Sequence, residues 1–351
     1  MPEKMGRGRK NMPSWQEFNR LEAAQRNYIR LGDTGRTDKG VFANQDIPKF
    51  TRIICEVPTI DLRKKYLSTA NVKVAFESLP ANRKAAVMDL HFDFSDSGIA
   101  TPLSLIFDQN AMDTDRGRIL CTTVARINHS CLPNAMGNMN WLTHCYTVQV
   151  LHDIVEGEEI TINYIDVELP KEQRDARLKA IWNFECRCLL CDQHFSARFL
   201  QSSNMLRAWL QQFRDTISRF DPGPPPITEE QARQQSLNES QHNSDIHQFI
   251  QTAEHEGLPG SLAFACWKAA ESALRLNNRD LASKWASETQ DILMKTIGID
   301  TAEFNQVILW KIHNQLPSKQ PIYFPQLESE REAQERMRLF QPRRGTFREL
   351  Q

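Results

Sequence analysis

Cys186-Arg187-Cys188-Leu189-Leu190-Cys191 places three thiols in a CxCxxC run, and closely spaced thiolates are the ligands a tetrahedral zinc ion prefers. A closed site needs a fourth donor. Cys131, within Arg126-Ile127-Asn128-His129-Ser130-Cys131-Leu132-Pro133-Asn134, and the nearby His194 are the two candidates. The other cysteines, Cys55, Cys121, Cys145 and Cys266, sit in apolar or strand-like contexts that suit small core residues. Two further clusters could do polar chemistry. Asn128-His129 offers an amide and an imidazole, and Gly157-Glu158-Glu159-Ile160-Thr161-Ile162-Asn163-Tyr164 ends on a phenol. Taken alone, each is as well read as a cap or core residue. In this order they predict a thiolate metal site beside a pocket built from an Asn-His pair and a tyrosine.

Short elements must position these groups. Gly40-Val41-Phe42-Ala43, Arg52-Ile53-Ile54-Cys55-Glu56-Val57 and Ile160 to Tyr164 are β-like runs bounded by Gly, Pro and Asp, and Trp141 to Leu151 alternates like a half-buried strand. Ser14-Trp15-Gln16-Glu17 opens a short amphipathic helix with a capping box. The segment from about Leu62 to His91 is a cysteine-free helical insert, and Lys171 to Trp182 is a helix that runs into the CxCxxC. Beyond Ala197 all signals are helical. Leu206, Trp209, Leu210, Phe213 and Ile217 form one apolar stripe. Asp221-Pro222-Gly223-Pro224-Pro225-Pro226 breaks the chain, and a Gln/Ser/Asn-rich stretch to Asn243 reads as a linker. Ser261 to Leu276 and Asp280 to Ile297 read as an antiparallel helix pair joined at Asn277-Asn278-Arg279, and Glu328 to Phe340 as a solvated helix.

N-H-S-C-x-P-N, then G-E-E-hydrophobic-x-x-x-Y, then F-x-C-x-C-x-x-C, together resemble a SET-domain protein lysine methyltransferase with a post-SET zinc segment. The chain is most similar to the SET-and-MYND group and its fungal relatives, although the cysteine-free insert means that the MYND finger is missing. The resemblance implies an α+β fold: a knot-like arrangement of short strands with a helical insert, a post-SET segment and an all-helical C-terminal region. The expected divisions are a tail and short helix over 1–31, the SET domain over 32–168 with its insert at about 62–91, the post-SET segment over 169–195, and the helical region over 196–351 with a linker at about 221–243. It implies S-adenosylmethionine and Zn2+ as cofactors, and a protein substrate with an accessible lysine, histone or non-histone. Cys131, Cys186, Cys188 and Cys191 match the zinc ligands, and Tyr164 the catalytic tyrosine. Lys39, Gly40, Val41, Asn110, Asn128, His129, Tyr164 and Phe184 match cofactor-contacting positions, with Phe184 stacked on the adenine. Met112 and Trp182 match walls of the lysine channel, and packing of the preceding helix is an equal reading of Trp182.

Three departures are visible. Asp38 replaces the first glycine of the family's Gly-x-Gly loop, where a carboxylate would repel the cofactor's own. Phe50 replaces a turn glycine, and Met112 stands where relatives often place Phe. Asp38 is also the feature that favours the competing reading, a SET-fold interaction module with little or no activity.

Composition narrows the remaining classes. The 351 residues carry a formal net charge of -1, so no global attraction to nucleic acid or membrane is expected. No apolar run reaches the ~18 residues that a membrane span requires. The N-terminus lacks the apolar stretch of a signal peptide, and the cysteines cluster rather than spread. Both give reduced thiols and an intracellular protein as the expectation, with nucleus and cytoplasm left open. The basic run Lys4 to Lys10 reads as a solvated tail or a nuclear address, and the C-terminal helices are a candidate surface for a protein partner.

Overall fold

The computed structural model describes residues 27–35, 39–64, 67–92, 102–191 and 197–313. The helices expected at 14–28 and 328–340 fall wholly or mostly outside them, as do Asp38 and His194. Two compact units emerge. The first takes residues up to 167, 171–197 and 294–304, and the second takes 168–170, 198–293 and 305 onward.

The first unit is a mixed β core with helical insertions, as the α+β expectation required. Its strands are β1 (Ile29–Asp33), β2 (Lys39–Ala43), β3 (Arg52–Glu56), β4 (Ile60–Arg63), β5 (Met112–Thr114), β6 (Gly117–Leu120), β7 (Asn128–His129), β8 (Ala135–Asn140), β9 (Cys145–Val150) and β10 (Glu159–Ile162). They form three small sheets, ordered β1-β2-β10-β7, β3-β9-β8 and β4-β6-β5. All pairings are antiparallel except β10 with β7, where Thr161 lies opposite Asn128 and Ile162 opposite His129. That parallel pair sets β7 beside β10 in a knot-like core of short strands. Val41, Ile53, Ile127, Val148 and Ile160, all fully buried, hold the sheets together.

The strand expected from Trp141 begins only at Cys145, because Trp141 to His144 form a turn with His144 at φ 55°. Phe50 is also left-handed, at φ 67°, a conformation that a side chain strains and glycine does not. Lys49 and Lys295 lie over its exposed ring at 5.7 and 5.6 Å.

The insert contains α1 (Thr69–Glu77), capped by Ser68 accepting from the Asn71 N–H at 3.2 Å, and α2 (Ala81–Met88). Then come α3 (Pro102–Asn110) and α4 (Lys171–Trp182). Residues 294–304, which the sequence grouped with the helical region, pack in the first unit. Asp300 takes two bonds from Arg52, at 2.5 and 2.8 Å, and its carbonyl accepts from Asn140 at 3.1 Å. Gln149 donates to the Met294 carbonyl at 2.9 Å.

Described residues of the second unit lie mainly on α5 (Ala197–Ser218), α6 (Glu229–His255), α7 (Pro259–Arg275), α8 (Arg279–Thr296) and α9 (Ala302–His313). One expectation is corrected. Most of the stretch read as a linker, from residue 229 on, is the first half of α6. Thr228 and Gln231 form a reciprocal capping box that starts it, and His242, Ile246 and Phe249 bury one face. Helix α6 packs along α7, with Phe249 edge-on to Phe264 at 5.9 Å. Asn277, at φ 55°, ends α7 and turns the chain into α8. Among the described residues no helix is long and apolar enough to cross a membrane.

Candidate functional site

Three pieces of backbone build the site, all within the first unit: β7, the end of β10, and the end of α4 with the turn that follows. Asn183 at φ 56°, its N–H on the Lys179 carbonyl at 3.1 Å, terminates α4. Asparagine is one of the few side chains that accept this left-handed capping position. The stop lets Phe184 and the CxCxxC run fold back onto β7. The parallel register of β7 and β10 then delivers Tyr164 to His129.

His129 is the hub. Its Nδ1 accepts the Tyr164 backbone N–H at 3.0 Å, and its Nε2 lies 3.3 Å from the Cys131 Sγ. An accepting Nδ1 puts the proton of the neutral ring on Nε2, which therefore donates to sulfur. Burial pushes the imidazole down to about 4, so the ring is neutral. Both ring nitrogens are engaged within the fold. Its ring centroid is 5.4 Å from Tyr164 and 6.2 Å from Phe184.

Tyr164 donates its hydroxyl to the Ile127 carbonyl at 2.6 Å. Its ring is 5.0 Å from Trp182, whose indole N–H is fixed on the Gln109 carbonyl at 2.6 Å. Met112 packs against the same core cluster as Tyr164. The arrangement is a half-buried tyrosine flanked by the rings of His129 and Trp182.

A second polar group lies where β2 meets β7. The Asn128 amide donates to Glu159 Oε1 at 2.7 Å and to the Lys39 carbonyl at 3.4 Å. A carboxylate only accepts, so the orientation of the amide follows: Oδ1 is its remaining acceptor. A Cβ on Gly40 would come within 2.7 Å of Glu159 Oε1 and 3.0 Å of Asn128 Nδ2, so this network requires glycine there. Val41 is fully buried and can offer a ligand only its backbone. Asn110 gives its amide hydrogens to the His91 and Ile106 carbonyls at 2.8 and 2.9 Å, tying down the end of α3.

The thiols converge. The sulfur atoms of Cys131, Cys186, Cys188 and Cys191 all lie within 4.8 Å of one another. Cys131 is 3.5 Å from Cys191 and 3.9 Å from Cys186, against about 3.8 Å between sulfurs of a regular tetrahedron with ~2.3 Å metal bonds. The donor set therefore fits a tetrahedral divalent metal. Leu178 and Leu190 are buried around the cluster, with Phe184 packed against it.

Sequence reasoning missed Glu159 as the partner that orients Asn128, although it stands in the Gly-Glu-Glu run. It also missed Glu56, whose buried carboxylate caps the turn Val124–Arg126 by accepting the Thr123 and Val124 N–H groups at 3.0 and 3.1 Å. That turn leads directly into Ile127 and β7.

Comparison with known proteins points the same way. Residues 38–165 match the SET domain family model. Histone-lysine N-methyltransferase set5 of Schizosaccharomyces pombe is 28% identical over 185 residues, covering 52% of this chain and 55% of that protein. A SET domain-containing protein of Dictyostelium discoideum is 30% identical over 89 residues, 25% of this chain and 22% of its own length. Human N-lysine methyltransferase SMYD2 is 35% identical over 75 residues, 21% of this chain and 17% of its own. The chain thus spans about half of the set5 protein and smaller shares of the other two. With the matched residues folded as a knot-like β core, and with the Asn-His pair, tyrosine and four cysteines assembled, this chain carries a SET domain, a fold of the lysine-methyltransferase type.

Proposed function

We propose that the protein transfers a methyl group from S-adenosylmethionine to the side-chain amine of a lysine in a protein substrate, and that Cys131, Cys186, Cys188 and Cys191 hold a structural Zn2+. The observation that carries the reading is the Tyr164 hydroxyl, pinned to the Ile127 carbonyl between the rings of His129 and Trp182. S-adenosylmethionine, when bound, supplies a methyl group on a positively charged sulfur.

The chain's own residues supply position and dehydration. A lysine amine has a reference pKa near 10.4 and must lose its proton before it can attack. A partly desolvated channel walled by Trp182, Met112 and Tyr164 favours the neutral amine. Tyr164, its hydroxyl held on the Ile127 carbonyl, orients the amine for attack, a positioning role rather than that of a general base. Asn128 Oδ1, fixed by Glu159, is an acceptor for the cofactor's ammonium. The Lys39–Gly40–Val41 backbone, the backbone at His129, and Asn110 line the cofactor side, with Phe184 over the adenine. The metal would hold the Phe184-bearing turn against β7.

Labelled-methyl transfer to a cell extract tests the activity, and mass spectrometry of the labelled protein identifies the substrate, histone or not. Tyr164→Phe is expected to cut transfer by about 100-fold or more; unchanged transfer removes Tyr164 from the reaction. Calorimetry that finds no S-adenosylmethionine binding to metal-loaded protein would overturn the enzyme reading in favour of an interaction module.

A further inference from the structure

Helix α4 is twelve residues long and largely solvated, yet it turns two side chains fully inward, Arg174 and Leu178. They are four apart and share one face, and that face meets the cysteine cluster. Leu178 belongs to the cluster's apolar surround. Arg174 is 1% exposed, and its Nη2 donates to the Cys191 Sγ at 3.9 Å. Burying a guanidinium costs several kcal/mol unless an anion meets it, and an arginine does not escape by losing its proton. Four thiolates around one divalent cation carry a net charge of about -2, placed here among buried side chains where charge is poorly screened.

We propose that Arg174 is the built-in counter-charge of the metal centre, its guanidinium halving the excess negative charge of the four-thiolate site and so strengthening metal binding. The inference rests on the metal reading above and extends it to a residue outside the ligand set. Outer-shell partners of metal ligands typically change affinity by ~10–100-fold, and Arg174 supplies a full charge as well as a hydrogen bond.

The test uses the full chain, stripped of metal and titrated with Zn2+ against a chromophoric chelator, alongside Arg174→Lys, Arg174→Gln and Arg174→Met. Wild type is expected to take up one equivalent. Gln and Met are expected to weaken binding ~10–100-fold, with Lys closer to wild type. Thermal unfolding separates charge from packing. Arg174→Met should lower the midpoint of the metal-loaded protein and leave the metal-free midpoint unchanged or raised, since an apolar residue replaces a buried charge. Equal loss in both states, or neutral variants that bind Zn2+ as wild type does, would overturn the proposal while leaving the metal site standing. Wild type that takes up no Zn2+ would remove the metal site and this proposal together.

Discussion

Among the described residues two arginines are almost completely buried, one in each unit, and they are kept by different means. In the second unit Arg207 donates to Glu256 at 2.9 Å and to Ser203 at 3.3 Å, and Ser203 donates to the same carboxylate oxygen at 2.6 Å. That charge is balanced by residues the chain itself provides. In the first unit Arg174 faces sulfur, whose charge depends on what the thiols hold. The Arg207 charge is therefore met by a carboxylate of its own unit, whereas the charge that the sulfurs offer Arg174 depends, on the proposed metal reading, on the state of the thiols.

The contrast can be broken most forcefully at the metal. Cys188→Ser, or a strong chelator, should remove the metal equivalent and cost several kcal/mol, seen as a fall of about 10 °C in the first unit's unfolding transition. The second unit's transition should stay in place. A common shift of both transitions would show that the units do not differ in this way. Next in size, Glu256→Gln leaves Arg207 buried beside a neutral amide. It should cost ~3 kcal/mol in the second unit alone, measured by denaturant unfolding, with much of the loss recovered when Arg207→Met is added. A first-unit transition that moved equally would blur the distinction.

The smallest effect sharpens the contrast inside the first unit, where Arg52 and Asp300 pair near the surface. Burial raises the Asp300 carboxyl, and the Arg52 hydrogen bond and charge more than offset this, so its pKa is lowered. A carboxyl depressed on folding stabilises above its unfolded value near 3.9, and that stability drains away as pH falls through the lower folded value. With Asp300 37% exposed, solvent screening limits the contribution to below about 1 kcal/mol. Arg52→Ala should flatten that acid-side slope, and a slope the variant leaves unchanged would assign it to another group.

Much of the site could be read in the residues because its signals are local. CxCxxC, Asn-His and a tyrosine after Gly-Glu-Glu stand out at short spacing, and Cys131 joined the set through the motif that holds it. What escaped depends on long-range partners. Arg174 lies in Lys171-Glu172-Gln173-Arg174-Asp175, which reads as a solvated helix start, and only the tertiary fold shows which face turns inward. Glu56 and Glu159 were invisible as orienting groups for the same reason. The Gln/Ser/Asn-rich stretch misled by composition. Its capping pair Thr228 and Gln231, and the spacing of His242, Ile246 and Phe249, were helix signals that polarity masked.

Residues 294–304 have a consequence for the order of synthesis. Arg52, Asn140 and Gln149 meet their partners at Met294 and Asp300, so the β3-β9-β8 sheet waits for them until some 300 residues have left the ribosome. Domains commonly fold as they emerge. Here the first unit is completed only after most of the second has been made, and a nascent chain halted before residue 294 would expose polar side chains of β3, β8 and β9 whose partners had yet to be translated.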